Sequence, residues 1–156
     1  MPAQDAEIRR LFLAEHERAA AGGIDAAATA DDYLCRLILL DQFPRNMFRG
    51  QARAFATDVL ALESARAGIG RGFDRIESPH RRLFYYLPFE HSENLADQDE
   101  CMRLLEAMNF GDYLVWAEKH RGVIREFGRF PHRNAALGRT NKPAETEYLA
   151  RPGAGF

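Results

Sequence analysis

The chain predicts an all-α protein of about six or seven short helices packed as antiparallel pairs. Three observations carry this. Apolar residues recur at three- and four-residue spacing through almost every segment, as in the series Tyr113, Trp116, Ala117, His120, Ile124 and Phe127. No stretch alternates β-branched with polar residues, as a half-buried strand would. Helix-start and helix-stop signals punctuate the chain at intervals of roughly 10 to 17 residues, which predicts stacked helix pairs rather than a long four-helix bundle. Residues 1–150 are expected to form a single all-helical domain and residues 151–156 a frayed tail.

The first helix is read over residues 5–21, with Ile8, Leu11 and Phe12 on its apolar side and Gly22-Gly23 as its stop. Its polar residues, His16 included, are expected to face solvent. Thr29 and Asp32 form a capping box for a second helix rich in Leu and Ile. Asp41 follows Leu37 and Ile38 by one helical turn, so it is carried inward with them, where a carboxylate must be paired. Pro44 is expected to end this helix, because it pushes Phe43 out of the helical region. The next helix is read from Ala52 to Ala67, and Gly68, Gly70 and Gly72 as part of a loop running to Glu77. Ser78-Pro79 opens a helix lined by Leu83, Phe84 and Leu87, which Pro88 closes. Phe89 to Glu93 then make a tight polar bend. Asn94 and Asp97 cap the helix carrying Met102 and Leu105, and Gly111-Asp112 join it to an antiparallel neighbour that Gly128 ends. Pro143 opens a last short helix with Tyr148 and Leu149.

The hydrophobic fraction of 46% and charged fraction of 28% over 156 residues are those of an ordinary globular domain. A net charge of −2 leaves no broad basic surface, so nucleic acid is not expected as a partner. The apolar run Leu37 to Leu40 is far short of a membrane span, and the charged opening MPAQDAEIRR lacks the apolar core of a signal peptide. These features point to the cytoplasm, with no membrane partner. Cys35 and Cys101 fall in apolar helical patterns and read as buried, reduced thiols. Of the 21 basic residues, all but two are arginine, the side chain suited to bidentate pairing with carboxylate or phosphate.

Three segments hold the candidate chemistry: Asp41 to Arg49 behind its Leu-Ile-Leu-Leu run, the stretch LPFEHSENLADQ over residues 87–98, and Gly128 to Asn134. Asp41 is expected to pair with an arginine, Arg45 and Arg49 being nearest in sequence and Arg129 and Arg133 the distant alternatives. His91, flanked by Glu90 and Glu93, has the makings of a general acid–base group whose tautomer a neighbouring carboxylate fixes. The candidate ligand-binding residues are Asp41, Arg45, Asn46, Arg49, Gln98, Arg129, Arg133 and Asn134, with the arginines able to hold a phosphate or carboxylate. No HExxH, CxxC or closely spaced histidine pair occurs, so no metal and no cofactor is expected. His120, on an apolar stripe, reads as a satisfied core histidine. Trp116 and most other aromatics read as core, while one of the adjacent Tyr85 and Tyr86 is expected to point away toward a groove.

The segments around Asp41–Arg49, His91–Gln98 and Phe130–Asn134 resemble the signature motifs of a bacterial domain-of-unknown-function family, numbered 924, over roughly residues 30–150. Members match the chain at Asp41, Gln42, Pro44, Arg45, Asn46, Arg49 and Asp58, then at His91, Ser92, Glu93, Gln98, His120, Phe130, Pro131, Arg133 and Asn134. The chain departs from the pattern in two places: the aromatic-rich opening of the FWF kind is absent, and Arg139-Thr140-Asn141 replaces a late RES motif. The resemblance implies a tetratricopeptide-like helical fold, whose relatives chiefly bind peptides or proteins. The expectation that follows is a ligand- or peptide-binding or scaffold module, taking a peptide or a small anionic ligand. The alternative is a small hydrolase, with His91 and Glu90 or Glu93 as acid–base groups and arginines binding an anionic substrate.

Overall fold

The computed structural model describes residues 2–23, 25–109 and 111–155. Among them the chain is all-helical: α1 (Pro2–Ala21), α2 (Ala30–Leu37), a π-helical turn (Ile38–Gln42), α3 (Phe43–Met47), a 3-10 turn (Ala52–Phe55), α4 (Asp58–Gly70) and α5 (Phe73–Ile76). Then come α6 (Pro79–Glu90), α7 (Leu95–Met108), α8 (Gly111–Phe127), a second 3-10 turn (Pro131–Arg133) and α9 (Pro143–Leu149). The main core lies where α2, α4, α6, α7 and α8 converge, around Leu37, Ala65, Tyr85, Phe89 and Leu105. A second cluster joins α1 to α3 through Met47 and Phe48, and a third holds Val123, Ile124 and Phe130 against Phe127 and Tyr148.

Most start signals act as expected. The Thr29 side chain accepts from the Asp32 N–H while Asp32 reaches back to the Thr29 N–H, closing a capping box. Asn94 caps α7 through Ala96, 2.9 Å away, but Asp97 turns from the cap to other partners. Asn109, the non-glycine residue with positive φ among those described, ends α7 in the left-handed conformation.

Several expectations fail for identifiable reasons. Pro44 does not end its helix. The chain widens into the π turn and resumes as α3, with Pro44 in its first turn, where a missing N–H is tolerated. Pro88 likewise lies inside α6, whose last turn is completed by the His91 N–H on the Leu87 carbonyl at 2.9 Å. The expected 52–67 helix is broken at Thr57, whose hydroxyl serves a distant carbonyl instead. Gly68 and Gly70 belong to α4 rather than to a loop. A Cβ on Gly68 would lie 2.7 Å from the Tyr85 ring, so glycine there permits α4 and α6 to close on one another.

Individual side chains are also redistributed. Leu11 is exposed, His16 is buried and Cys35 is exposed, each the reverse of the pattern-based expectation. Trp116 leaves the stripe it nominally shares and is 49% exposed. Neither tyrosine of the adjacent pair faces a groove: Tyr85 donates to the Ala30 carbonyl and Tyr86 to Asp74, both at 2.8 Å and both buried. The tail forms turns over residues 151–155, with Gly155 packed close to His132; Phe156 lies outside the described residues.

Candidate functional site

Asp41 owes its position to the π turn. Such a turn shifts the backbone bonding by one residue, and the Phe43 N–H reaches back to Ile38. Pro44, lacking an N–H, can serve neither Leu39 nor Leu40, so those carbonyls need donors from elsewhere. The His16 Nδ1–H donates to Leu39 at 2.9 Å, the Thr57 hydroxyl to Leu40 at 2.6 Å and Arg45 to the carbonyl of Asp41 itself. Three consecutive carbonyls ending at Asp41 are therefore held by side chains. His16 is buried because this role requires it.

His91 is held in the same manner at the end of α6. The Gln98 amide donates to Glu90 O at 2.6 Å and to Ser92 O at 2.8 Å, and Arg133 donates to His91 O at 3.0 Å. Again three successive carbonyls, here centred on the functional residue, are held by side chains rather than by a continuing helix.

The two residues so fixed meet: His91 Nδ1 lies 2.7 Å from Asp41 Oδ1. Asp41 is 1% exposed and also accepts from the Gln42 amide, with Arg45 Nη1 3.3 Å away. Burial pushes its carboxyl up, but the His91 and Arg45 charges and the hydrogen bonds outweigh burial and hold it down at about 2. The His91 imidazole is shifted the opposite way from protonation, chiefly by burial and next by the Arg45 charge. At neutral pH the pair is thus an ionised carboxylate and a neutral imidazole with its proton on Nδ1. Nε2 then carries a lone pair, and among the described residues nothing bonds it. The imidazole lines a cleft of about 270 Å³ and is 15% exposed.

Around this pair runs a charge-matched ring. Asp58 takes two bonds from Arg45, at 3.0 and 3.2 Å, and one from Arg133 at 3.0 Å. Arg133 lies between the Phe55 and Phe130 rings, 4.6 and 4.5 Å from their centroids. Burial lowers its pKa to about 10, which leaves it charged. Asp41 and Asp58 against Arg45 and Arg133 make a neutral set, so the arginines here are already matched by carboxylates.

The remaining expected site residues scatter. Glu93 does not orient His91: it accepts from Arg139 at 2.7 and 2.9 Å and from the Phe130 N–H at 2.7 Å. Glu90 does not either. It is buried 3.3 Å from His120 Nδ1, and burial raises its carboxyl to about 7, with Asp41 adding to the rise. His120 is a largely buried histidine that bonds the Trp116 carbonyl at 2.9 Å, and burial lowers its pKa to about 4. Arg49 turns away from Asp41 to Asp5 at 2.8 Å, with Asn46 on the same carboxylate at 3.0 Å. Arg129 pairs with buried Glu145 at 2.7 Å, and Asn134 bonds Asn141 and Glu145. Sequence reasoning gave no site role to His16, Thr57 or Arg139. The one usable signal was Pro44, whose missing N–H implies a carbonyl in need of an outside donor.

Among the described residues no group of three or more His, Cys, Asp or Glu side chains could hold a metal ion, and no helix is long and apolar enough to cross a membrane. Ser92 donates its hydroxyl to Asp97 at 2.6 Å, which directs that proton away from His91.

Comparison with known proteins names no reaction. A search of the curated proteins finds no match. A solved structure of the protein of unknown function ATU0120 from Agrobacterium tumefaciens is 42% identical, covering 96% of this chain and 85% of that one, with a TM-score of 0.90. The model of the family described as bacterial protein of unknown function, DUF924, matches residues 1–153. With near-complete coverage by that model and a close structural relative, the chain belongs to the DUF924 family of bacterial proteins.

Proposed function

We propose that the cleft is the active site of a small hydrolase in which His91, oriented by Asp41, acts as general base on a water molecule. The observation that carries this reading is the buried Asp41–His91 pair at 2.7 Å, with Nε2 unbonded among the described residues where the ring lines the cleft. Asp41 holds the Nδ1–H tautomer and stabilises the imidazolium that forms when Nε2 takes a proton from the attacking water. The imidazolium then returns the proton to the leaving group. Gln98 acts by position, fixing the backbone on either side of the histidine, and Glu93 by tying the segment after it to the Phe130 backbone and Arg139. The helices around the site, α6 on α7 and α7 on α8, are read as tetratricopeptide-like antiparallel pairs within one domain over residues 1–150; their sequential packing supports this.

The test compares wild type with His91→Ala and Asp41→Asn on a panel of p-nitrophenyl esters, p-nitroanilides and p-nitrophenyl phosphate, with melting curves recorded alongside. His91→Ala is expected to lower kcat/KM by about 10²- to 10⁴-fold, the range of a general base. Because the imidazole resists protonation, activity should stay level from pH 7 to 8 and fall only in acid. Hydrolysis unchanged in His91→Ala, or no hydrolysis of any member of the panel, would remove the hydrolase reading.

A further inference from the structure

We infer that the cleft takes an uncharged acyl substrate with a short aliphatic chain, rather than an anion. This rests on the hydrolase reading above and adds the substrate class. The charged groups facing the cleft are already matched in charge, although among the described residues the buried Nε of Arg133 has no hydrogen-bond partner. Asp58 is bonded by Arg45 and Arg133, Arg133 also serves the His91 carbonyl, and Glu93 is held by Arg139 and the Phe130 N–H. An anionic substrate would have to compete with Asp58 for Arg133, the cation of the wall, and weaken a partly buried ion pair. Apart from Ser92, whose hydroxyl is committed to Asp97, the rest of the wall is apolar: Phe55, Val59, Leu62, Pro88 and Leu137. A cleft of about 270 Å³ is at or below the small end for ligand sites and holds about nine water volumes at about 30 Å³ each, the bulk of a short acyl group with part of its leaving group.

The step balances without any further reactant. The water oxygen bonds to the acyl carbon, its proton passes to His91 Nε2, the bond from acyl carbon to the leaving oxygen or nitrogen breaks, and that atom receives the proton. The products are a carboxylic acid and an alcohol or amine. The acid ionises on release, and the absence of an unmatched cation in the wall favours its departure.

The discriminating pair is p-nitrophenyl pentanoate and p-nitrophenyl hemisuccinate, similar in length but differing by one negative charge. The pentanoate is expected to show a kcat/KM at least tenfold higher in wild type. Val59, 66% exposed on the cleft wall, tolerates a charge without burying it, so Val59→Lys should keep the melting temperature and raise hemisuccinate turnover relative to pentanoate about tenfold. A wild-type preference for hemisuccinate or for p-nitrophenyl phosphate overturns the substrate class while leaving the hydrolase intact. Should no substrate turn over, the hydrolase reading falls, and titration of pentanamide and of pentanoate against the His91 ring resonances still decides which ligand class the cleft takes. Shifts with the neutral amide alone support the inference, and shifts with pentanoate alone or with neither overturn it.

Discussion

Glu90 and Asp41 lie close together in the fold, and burial with its neighbours sends their two carboxyls in opposite directions. Glu90 rises from 4.5 to about 7 by burial, so its contribution to stability is full below about pH 4.5 and is lost as pH climbs through 7. Asp41 falls from 3.8 to about 2, so its contribution is full above about pH 4 and is lost as pH drops toward 2. The protein should therefore be most stable in mild acid with respect to these groups. Glu90→Gln is expected to raise unfolding free energy at pH 8 by about 3 kcal/mol and to flatten its decline between pH 5 and 8. Urea titrations of both proteins at the two pH values check this, and equal slopes would refute it. At this scale the sequence was a partial guide. Asp41 and His91 are identifiable from their neighbours, yet their mutual pairing spans 50 residues and no local rule points to it. Arg49 looked like a partner of Asp41 because it was near in the chain, whereas Asp5, 44 residues away, was the carboxylate within reach.

The π turn is the element on which the site depends, and its cost is met by donors from α1 and from the start of α4. Removing one of them should show. Thr57→Val leaves the Leu40 carbonyl buried without its donor and is expected to lower stability by about 1–3 kcal/mol, whereas Thr57→Ser keeps the hydroxyl and most of the stability. Thermal melts of the two variants separate lost bonding from lost shape. Elements of this kind explain which parts of the fold were legible. Caps at Thr29 and Asn94 act within three residues, so the sequence displays them. Pro44 and Pro88 misled because a proline's local cost can be outweighed by packing or by distant donors, which are tertiary facts. Gly68 misled for the converse reason: it marks a close approach of two helices, not an interruption of one.

At the scale of the molecule, the three motif segments form one junction. Asp41 touches His91, Arg133 holds the His91 carbonyl and Asp58, and Glu93 ties the Phe130 backbone to Arg139. Arg139 has an outsized part in this, bonding Glu93, Asn134 and the Phe130 carbonyl together. Arg139→Ala is expected to loosen residues 128–141 against α6 and α7 while leaving α1 and α2 as they are. Hydrogen exchange should show faster exchange in that segment alone, and uniform loss of protection across the chain would contradict the assignment.

The six held carbonyls, three ending at Asp41 and three around His91, have a further consequence for how such a protein can diversify. None of their donors is a wall residue of the cleft except Arg133, so the reactive pair takes its geometry from one set of side chains and its selectivity from another. Changes at Val59, Leu62 or Leu137 can alter what enters without retuning the pair. A chain arranged in this way is a natural starting point for laboratory evolution toward new substrates, in which the wall is randomised and the reactive pair is left alone.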